Sequence, residues 1–231
     1  MRRISPLRAL FQLFPLHCCV KFGTPLEIVA ALMKDKTFGK GALQKDANGA
    51  TPLHNVCASP KVAELVEWIP IVGTKKSALA KDKDKQTPLL VAIENHDVSK
   101  GVIHALGKLN PDAARIENSK GKSPFHAAIR TKADETIVKE LIKMDPRAVK
   151  KISFKGNNNI FHEMCQYETA SGIISGLLSV HPDGAKCQND KGNLPLHVAA
   201  AYHLSPKIIN ALVKAYPEGC VVQNSAKETP L

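Results

Sequence analysis

Thr51-Pro52-Leu53-His54, Thr87-Pro88-Leu89-Leu90, Ser123-Pro124-Phe125-His126, Asn159-Ile160-Phe161-His162 and Leu194-Pro195-Leu196-His197 are copies of one element. Two more, Pro15-Leu16-His17 and Thr229-Pro230-Leu231, lie towards the ends of the chain. Their Pro or Ile positions, 15, 52, 88, 124, 160, 195 and 230, are 37, 36, 36, 36, 35 and 35 residues apart. Self-similarity at one period of this size predicts a solenoid of stacked supersecondary units.

Each copy reads as a helix start. The Thr, Ser or Asn at 51, 87, 123, 159 and 229 offers a side-chain oxygen to a free amide of the first turn, and the following Pro has no amide to strand. Small apolar residues follow, such as Val56-Cys57, Ala92-Ile93, Ala128-Ile129, Met164-Cys165 and Ala199-Ala200. They suit a short helix pressed between neighbours. A second helix is predicted a few residues later from apolar pairs four residues apart: Ile28-Val29 and Leu32-Met33, Val102-Ile103 and Leu106, Ile137-Val138 and Leu141-Ile142, Ile173-Ile174 and Leu177-Leu178, Ile208-Ile209 and Leu212-Val213. Thr24-Pro25-Leu26-Glu27, Ser59-Pro60 and Ser205-Pro206 are predicted to start such helices. Trp68 takes the place of the aliphatic stripe in the second unit and reads as core filler.

Turn-forming stretches separate the units: Asp46-Ala47-Asn48-Gly49, Asn118-Ser119-Lys120-Gly121, Phe154-Lys155-Gly156-Asn157 and Asn189-Asp190-Lys191-Gly192. Asn, Asp and Gly tolerate positive φ, so these are expected to be projecting, hairpin-like fingers. Pro111, Pro146, Pro182 and Pro217 are expected to end the second helices and turn the chain towards the next finger.

With Ala50-Thr51-Pro52-Leu53-His54, Ser123-Pro124-Phe125-His126-Ala127-Ala128 and Leu194-Pro195-Leu196-His197-Val198-Ala199-Ala200, and glycines in the turns before them, the chain resembles the ankyrin repeat family. The resemblance runs from about Phe11 to the last residue. It implies an all-α solenoid of ankyrin-like stacked helix-turn-helix units, with a flank over 1–12 and an array over 13–231. That array is read as about six repeats and the start of a seventh, cut short after Thr229-Pro230-Leu231. The period is nearer 36 than the roughly 33 residues of the common repeat. A Pro-Asp-Gly-Ala type connector replaces the usual ending, Leu90 stands in for one His, and Ile160 for one Pro. These departures mark a divergent subgroup.

The resemblance also assigns roles. His17, His54, His126, His162 and His197 would be structural hydrogen bonders to finger backbone, with Pro52, Pro88, Pro124 and Pro195 as structural repeat positions. The spacing itself argues against a shared metal, because equivalent residues on packed helices sit about 10 Å apart and metal bonds are about 2 Å long. Cys19, Cys57 and Cys165 fall on the inner side of first helices, and Cys187 and Cys220 in connectors. No Cys-x-x-Cys pair is present, so the cysteines read as small buried apolar residues, from which a reducing compartment, cytoplasmic or nuclear, is expected.

No motif for nucleophilic, phosphate-binding or zinc chemistry occurs, and no cofactor or metal is expected. Charge is the remaining signal: 32 Lys and Arg against 21 Asp and Glu give +11. Lys83, Lys85, Lys120, Lys122, Lys155 and Lys191 fall at finger positions. In an ankyrin-like array, fingers and first helices line the concave face. The expected function is therefore a non-catalytic protein-protein interaction scaffold that binds along this face, with the finger lysines either simply solvated or facing an acidic partner. The alternatives are a basic protein associated with nucleic acid, or a regulatory segment of a larger enzyme or channel. Against nucleic acid, the fingers lack Arg and, apart from Phe154, aromatic residues. Oligomeric state is not legible.

Overall fold

The structure is a computed structural model that describes residues 15–34, 39–95, 98–150, 157–167 and 171–230. Among these are twelve α-helices and no β-strand element, an all-α repeat solenoid. The chain divides into two compact units, 1–124 and 125–231.

The first unit holds α1 (Pro15–Phe22), α2 (Leu26–Lys34), α3 (Pro52–Ala58), α4 (Ile69–Val72), α5 (Pro88–Glu94) and α6 (Lys100–Leu109). First helices stack on first helices, α1 on α3 and α3 on α5, while α2 packs on α4 and α4 on α6. The cause is visible in the burial pattern. Leu53, Val56 and Cys57 of α3 and Leu89, Leu90, Ala92 and Ile93 of α5 are buried, so these helices have neighbours on both flanks. The second helices bury one stripe, Val102, Ile103 and Leu106 in α6.

The second unit starts within α7 (Pro124–Arg130) and continues with α8 (Glu135–Met144), α9 (Ile160–Gln166), α10 (Ser171–Val180), α11 (Pro195–Ala201) and α12 (Pro206–Ala215). Here α9 packs on α11, and α10 lies between α8 and α12. Ile160 begins α9 where the other copies have Pro, capped by Asn159, whose Oδ1 accepts from the His162 amide at 3.1 Å. Thr87 caps α5 through Leu90 N–H at 3.4 Å.

Two expectations are corrected. Ser59-Pro60 does not open a regular second helix: the backbone turns over 60–65, forms a 3-10 turn over Val66–Trp68, and only then makes the four-residue α4. Pro70 is the reason. It has no N–H, and its ring would strike the carbonyl of Val66 in a continuous α-helix, so α4 can hold it only at the second position. Trp68 is buried beside this break, as core filler should be. The connector prolines do more than end helices. Pro111, Pro146, Pro182 and Pro217 each begin a five-residue 3-10 turn that leads to the next finger.

Candidate functional site

Five fingers among the described residues are each built on one side-chain oxygen. Oδ1 of Asp46 accepts from the amides of Asn48 and Ala50 at 2.8 and 3.0 Å. Asp82, Asn118, Asn189 and Asn224 repeat the arrangement, each accepting from the amides two and four residues on at 2.8 to 3.1 Å. Two backbone bonds close the turn, as with Asp46 N–H to the Ala50 carbonyl at 2.9 Å and Gly49 N–H to the Asp46 carbonyl at 2.9 Å. That geometry requires positive φ at the fourth residue. Gly49, Gly121 and Gly192 supply it, but Lys85 (φ 59°), Asn157 (φ 48°) and Lys227 (φ 65°) adopt it without being glycine. For a side chain with a Cβ the left-handed region costs about 1 kcal/mol. The signal was in the register of Asp82-Lys83-Asp84-Lys85-Gln86 against Asp46-Ala47-Asn48-Gly49-Ala50, where Lys85 stands in the Gly position.

The fingers are fastened to one another. In the first unit Lys83 N–H donates to the Asn48 carbonyl and Ser119 N–H to the Asp84 carbonyl, both at 3.0 Å. In the second, Ser225 N–H reaches the Lys191 carbonyl at 3.0 Å, and side-chain amides add Asn157 to Asp190 at 2.7 Å and Asn224 to Asn193 at 2.9 Å.

The histidines join this framework to the first helices. His54, His162 and His197 accept at Nδ1 from the backbone amide three residues earlier, at 3.0, 3.2 and 3.0 Å. With Nδ1 accepting, the ring proton sits on Nε2. That nitrogen donates to the carbonyl that ends the following finger: His54 to Gln86 at 3.0 Å, His162 to Asn193 at 2.7 Å, His197 to Glu228 at 3.2 Å. His17 makes the same Nε2 contact to Ala50 at 2.9 Å. His126 is buried at the equivalent place. Burial holds the His54 imidazole below its usual pKa and pushes that of His162 down to about 4. His54 and His162 are therefore neutral hydrogen-bonding rings with both nitrogens engaged.

Lys83, Lys85, Lys120 and Lys191 are exposed and Lys122 is half-buried, while Lys155 and the neighbouring Phe154 lie outside the described residues. Lys83, Lys85, Lys120 and Lys122 come together on two adjoining fingers of the first unit, tied by the bond from Ser119 to Asp84. Lys191 stands in the second unit, next to the finger that carries Lys227. Carboxylates dilute most of this charge. Asp82 and Asp84 share a finger with Lys83 and Lys85, Asp190 adjoins Lys191, and Glu228 adjoins Lys227. Only the finger over 118–122 carries two lysines and no acid.

Of the cysteines, Cys18, Cys19, Cys57 and Cys165 are buried, but Cys187 is exposed and departs from the reading of the cysteines as buried residues. Its thiol donates to the Asp183 carbonyl at 3.6 Å. Burial raises the pKa of the Cys57 thiol and pushes that of Cys165 up to about 12, so neither is a thiolate at neutral pH.

No family model matches the chain. No curated protein matches it in sequence. Solved structures do match in shape. The ankyrin repeat domain of Bcl-3, a member of the IkappaB protein family, superposes with a TM-score of 0.72 at 21% identity, over 94% of this chain and 91% of that one. The human ASB11 ankyrin repeat domain gives 0.64 at 17% identity, over 94% and 89%. A chain from the complex of the Bdellovibrio bacteriovorus predatory endopeptidase Bd0816 with the immunity protein Bd3460 gives 0.59 at 19% identity, over 80% and 89%. Helix pairs, fingers and imidazole bonds recurring with a period of about 36 residues thus belong to a protein with the ankyrin repeat fold.

Proposed function

We propose that this protein is a non-catalytic scaffold that binds a protein partner through its fingers and first helices, the partner presenting carboxylates to Lys120 and Lys122. The observation that carries this reading is the finger over 118–122, which has two lysines, no acid, and a backbone fixed at 3.0 and 3.1 Å by Asn118. Lys83 and Lys85 on the adjoining finger extend the surface, and in the sequence Lys155 and Lys191 fall at finger positions of later repeats. A surface already ordered by hydrogen bonds loses little freedom on binding, so several weak contacts add up. Charge complementarity supplies encounter rate and register more than raw affinity.

Zero-length carbodiimide cross-linking of the intact protein to a poly-glutamate peptide, mapped by mass spectrometry, tests the site. Adducts concentrated at Lys120 and on Lys83 or Lys85 are the expected result, weakened by Lys120→Glu with Lys122→Glu. An even distribution over all surface lysines would overturn it. Retention on single-stranded DNA with a steep salt slope, and none on poly-glutamate, would move the reading to nucleic acid.

A further inference from the structure

The second unit carries a groove on its second helices, away from the finger residues. It lies between α10 and α12, has a volume of about 530 Å³, and is lined by Ser175, Leu178 and Ser179 on one side and Lys207, Asn210 and Lys214 on the other. Its charge is one-sided. α10, Ser171-Gly172-Ile173-Ile174-Ser175-Gly176-Leu177-Leu178-Ser179-Val180, has no charged residue, and α12 has two lysines and no acid. Lys207 and Lys214 are both exposed, seven residues or about 10.5 Å apart along the helix.

The groove's surroundings leave that charge unmatched. Among the described residues neither Lys207 nor Lys214 has a carboxylate partner, and nearby Lys186 is taken by Asp183 at 3.1 Å. The other flank of α10 is different. There α8 pairs Glu135 with Lys139 at 2.7 Å and Glu140 with Lys143 at 3.4 Å, and the Glu135 carboxylate lies within 3.4 Å of where a Cβ on Gly172 would stand. One side of α10 is electrically settled and the other is not. The end of α10 also presents Val180 at 68% exposure.

We propose that the groove between α10 and α12 docks an amphipathic helix of a partner protein whose two carboxylates, two turns apart, meet Lys207 and Lys214. Packed helices approach to 8–10 Å when the side chains between them are small, and Ser175, Ser179 and Ala211 meet that condition on both walls. A helix laid there places residues i and i+7 on one face at the lysine spacing. The site shares no residue with the fingers, so the two surfaces can be occupied independently.

The test uses the full chain and a fluorescein-labelled Ala/Leu/Gln-based helical peptide of about 17 residues with Glu at i and i+7, read by anisotropy at low salt. Binding about tenfold tighter than that of the Gln version is expected. Lys207→Glu with Lys214→Glu should remove that difference, Lys207→Gln with Lys214→Gln should reduce it, and Lys120→Glu with Lys122→Glu should leave it intact. Circular dichroism checks folding of each variant. Equal affinity for the Glu and Gln peptides, or loss in the finger variant but not in the groove variants, would overturn the proposal. So would equal binding when the two Glu are moved to i and i+5.

Discussion

First and second helices follow different rules here. From the residue that leads each finger to the His position, Asp46 to His54, Asp82 to Leu90, Asn118 to His126 and Asn189 to His197, the chain always spends eight residues. From the His position to the next finger it spends 29, 28 or 27, as His17 to Asp46, His54 to Asp82 and His162 to Asn189 show. All of the variation in period sits in the second half. Helix lengths agree: α3, α5, α7, α9 and α11 each have seven residues, whereas second helices range from four in α4 to ten in α6, α8, α10 and α12. Hydrogen bonds explain the difference. A residue added between finger and imidazole would displace the ring from its Nδ1 and Nε2 contacts, and one added inside the finger would break its Asx contacts, while a residue added near a second helix is absorbed by a turn.

The strongest way to break that contrast is to remove one imidazole. His162→Ala strands the Asn193 carbonyl and the Asn159 amide and opens a cavity, and should cost about 3–4 kcal/mol in denaturant titration. A loss below about 1 kcal/mol would mean that the ring is not what fixes the first half.

Acid should act in the same place. The folded-state pKa values of His54 and His162 lie below the ordinary value, so the unfolded chain binds protons first and stability is lost as the pH is lowered. The loss begins near pH 6.5, the usual imidazole pKa, and for His162 levels off below about 4, amounting to the order of 3 kcal/mol for that ring. Chemical denaturation at pH 7, 5.5 and 4.5 measures it, and His162→Ala should flatten most of the slope. A slope unchanged in that variant would assign the acid sensitivity elsewhere.

The smallest effect belongs to the second helices and has the opposite sign. Nothing lies within 4 Å of a Cβ placed on Gly176, so Gly176→Ala on α10 should raise stability by about 0.5–1 kcal/mol through helix propensity. Destabilisation would mean that this outer surface is as constrained as the inner one.

Much of the framework was legible because hydrogen-bonding requirements restrict residue type. Pro at the helix start, His two residues on, and Asp or Asn eight residues before that His leave a pattern in the letters. The break in α4 was written in Pro70, but apolar pairing elsewhere hid it. The strain at Lys85 and Lys227 was not legible from composition, since positive φ is imposed there by the finger's bonds and not by the residue. The finger lysines were found, whereas their dilution by Asp82, Asp84 and Asp190 needed the fingers' register. The groove of α10 and α12 left no motif. It depends on which side chains share a wall, and spacing within one helix does not carry that.

The bond from each Nε2 to a carbonyl of the following repeat has a consequence for synthesis. His17, His54, His162 and His197 wait for acceptors 33, 32, 31 and 31 residues downstream. At about 5–20 residues per second, a ribosome takes about 2–7 s to deliver one. A nascent chain of this kind therefore trails, at each of these four repeats and not at the one that carries Leu90, an imidazole that has a helix but no acceptor until the next finger is made.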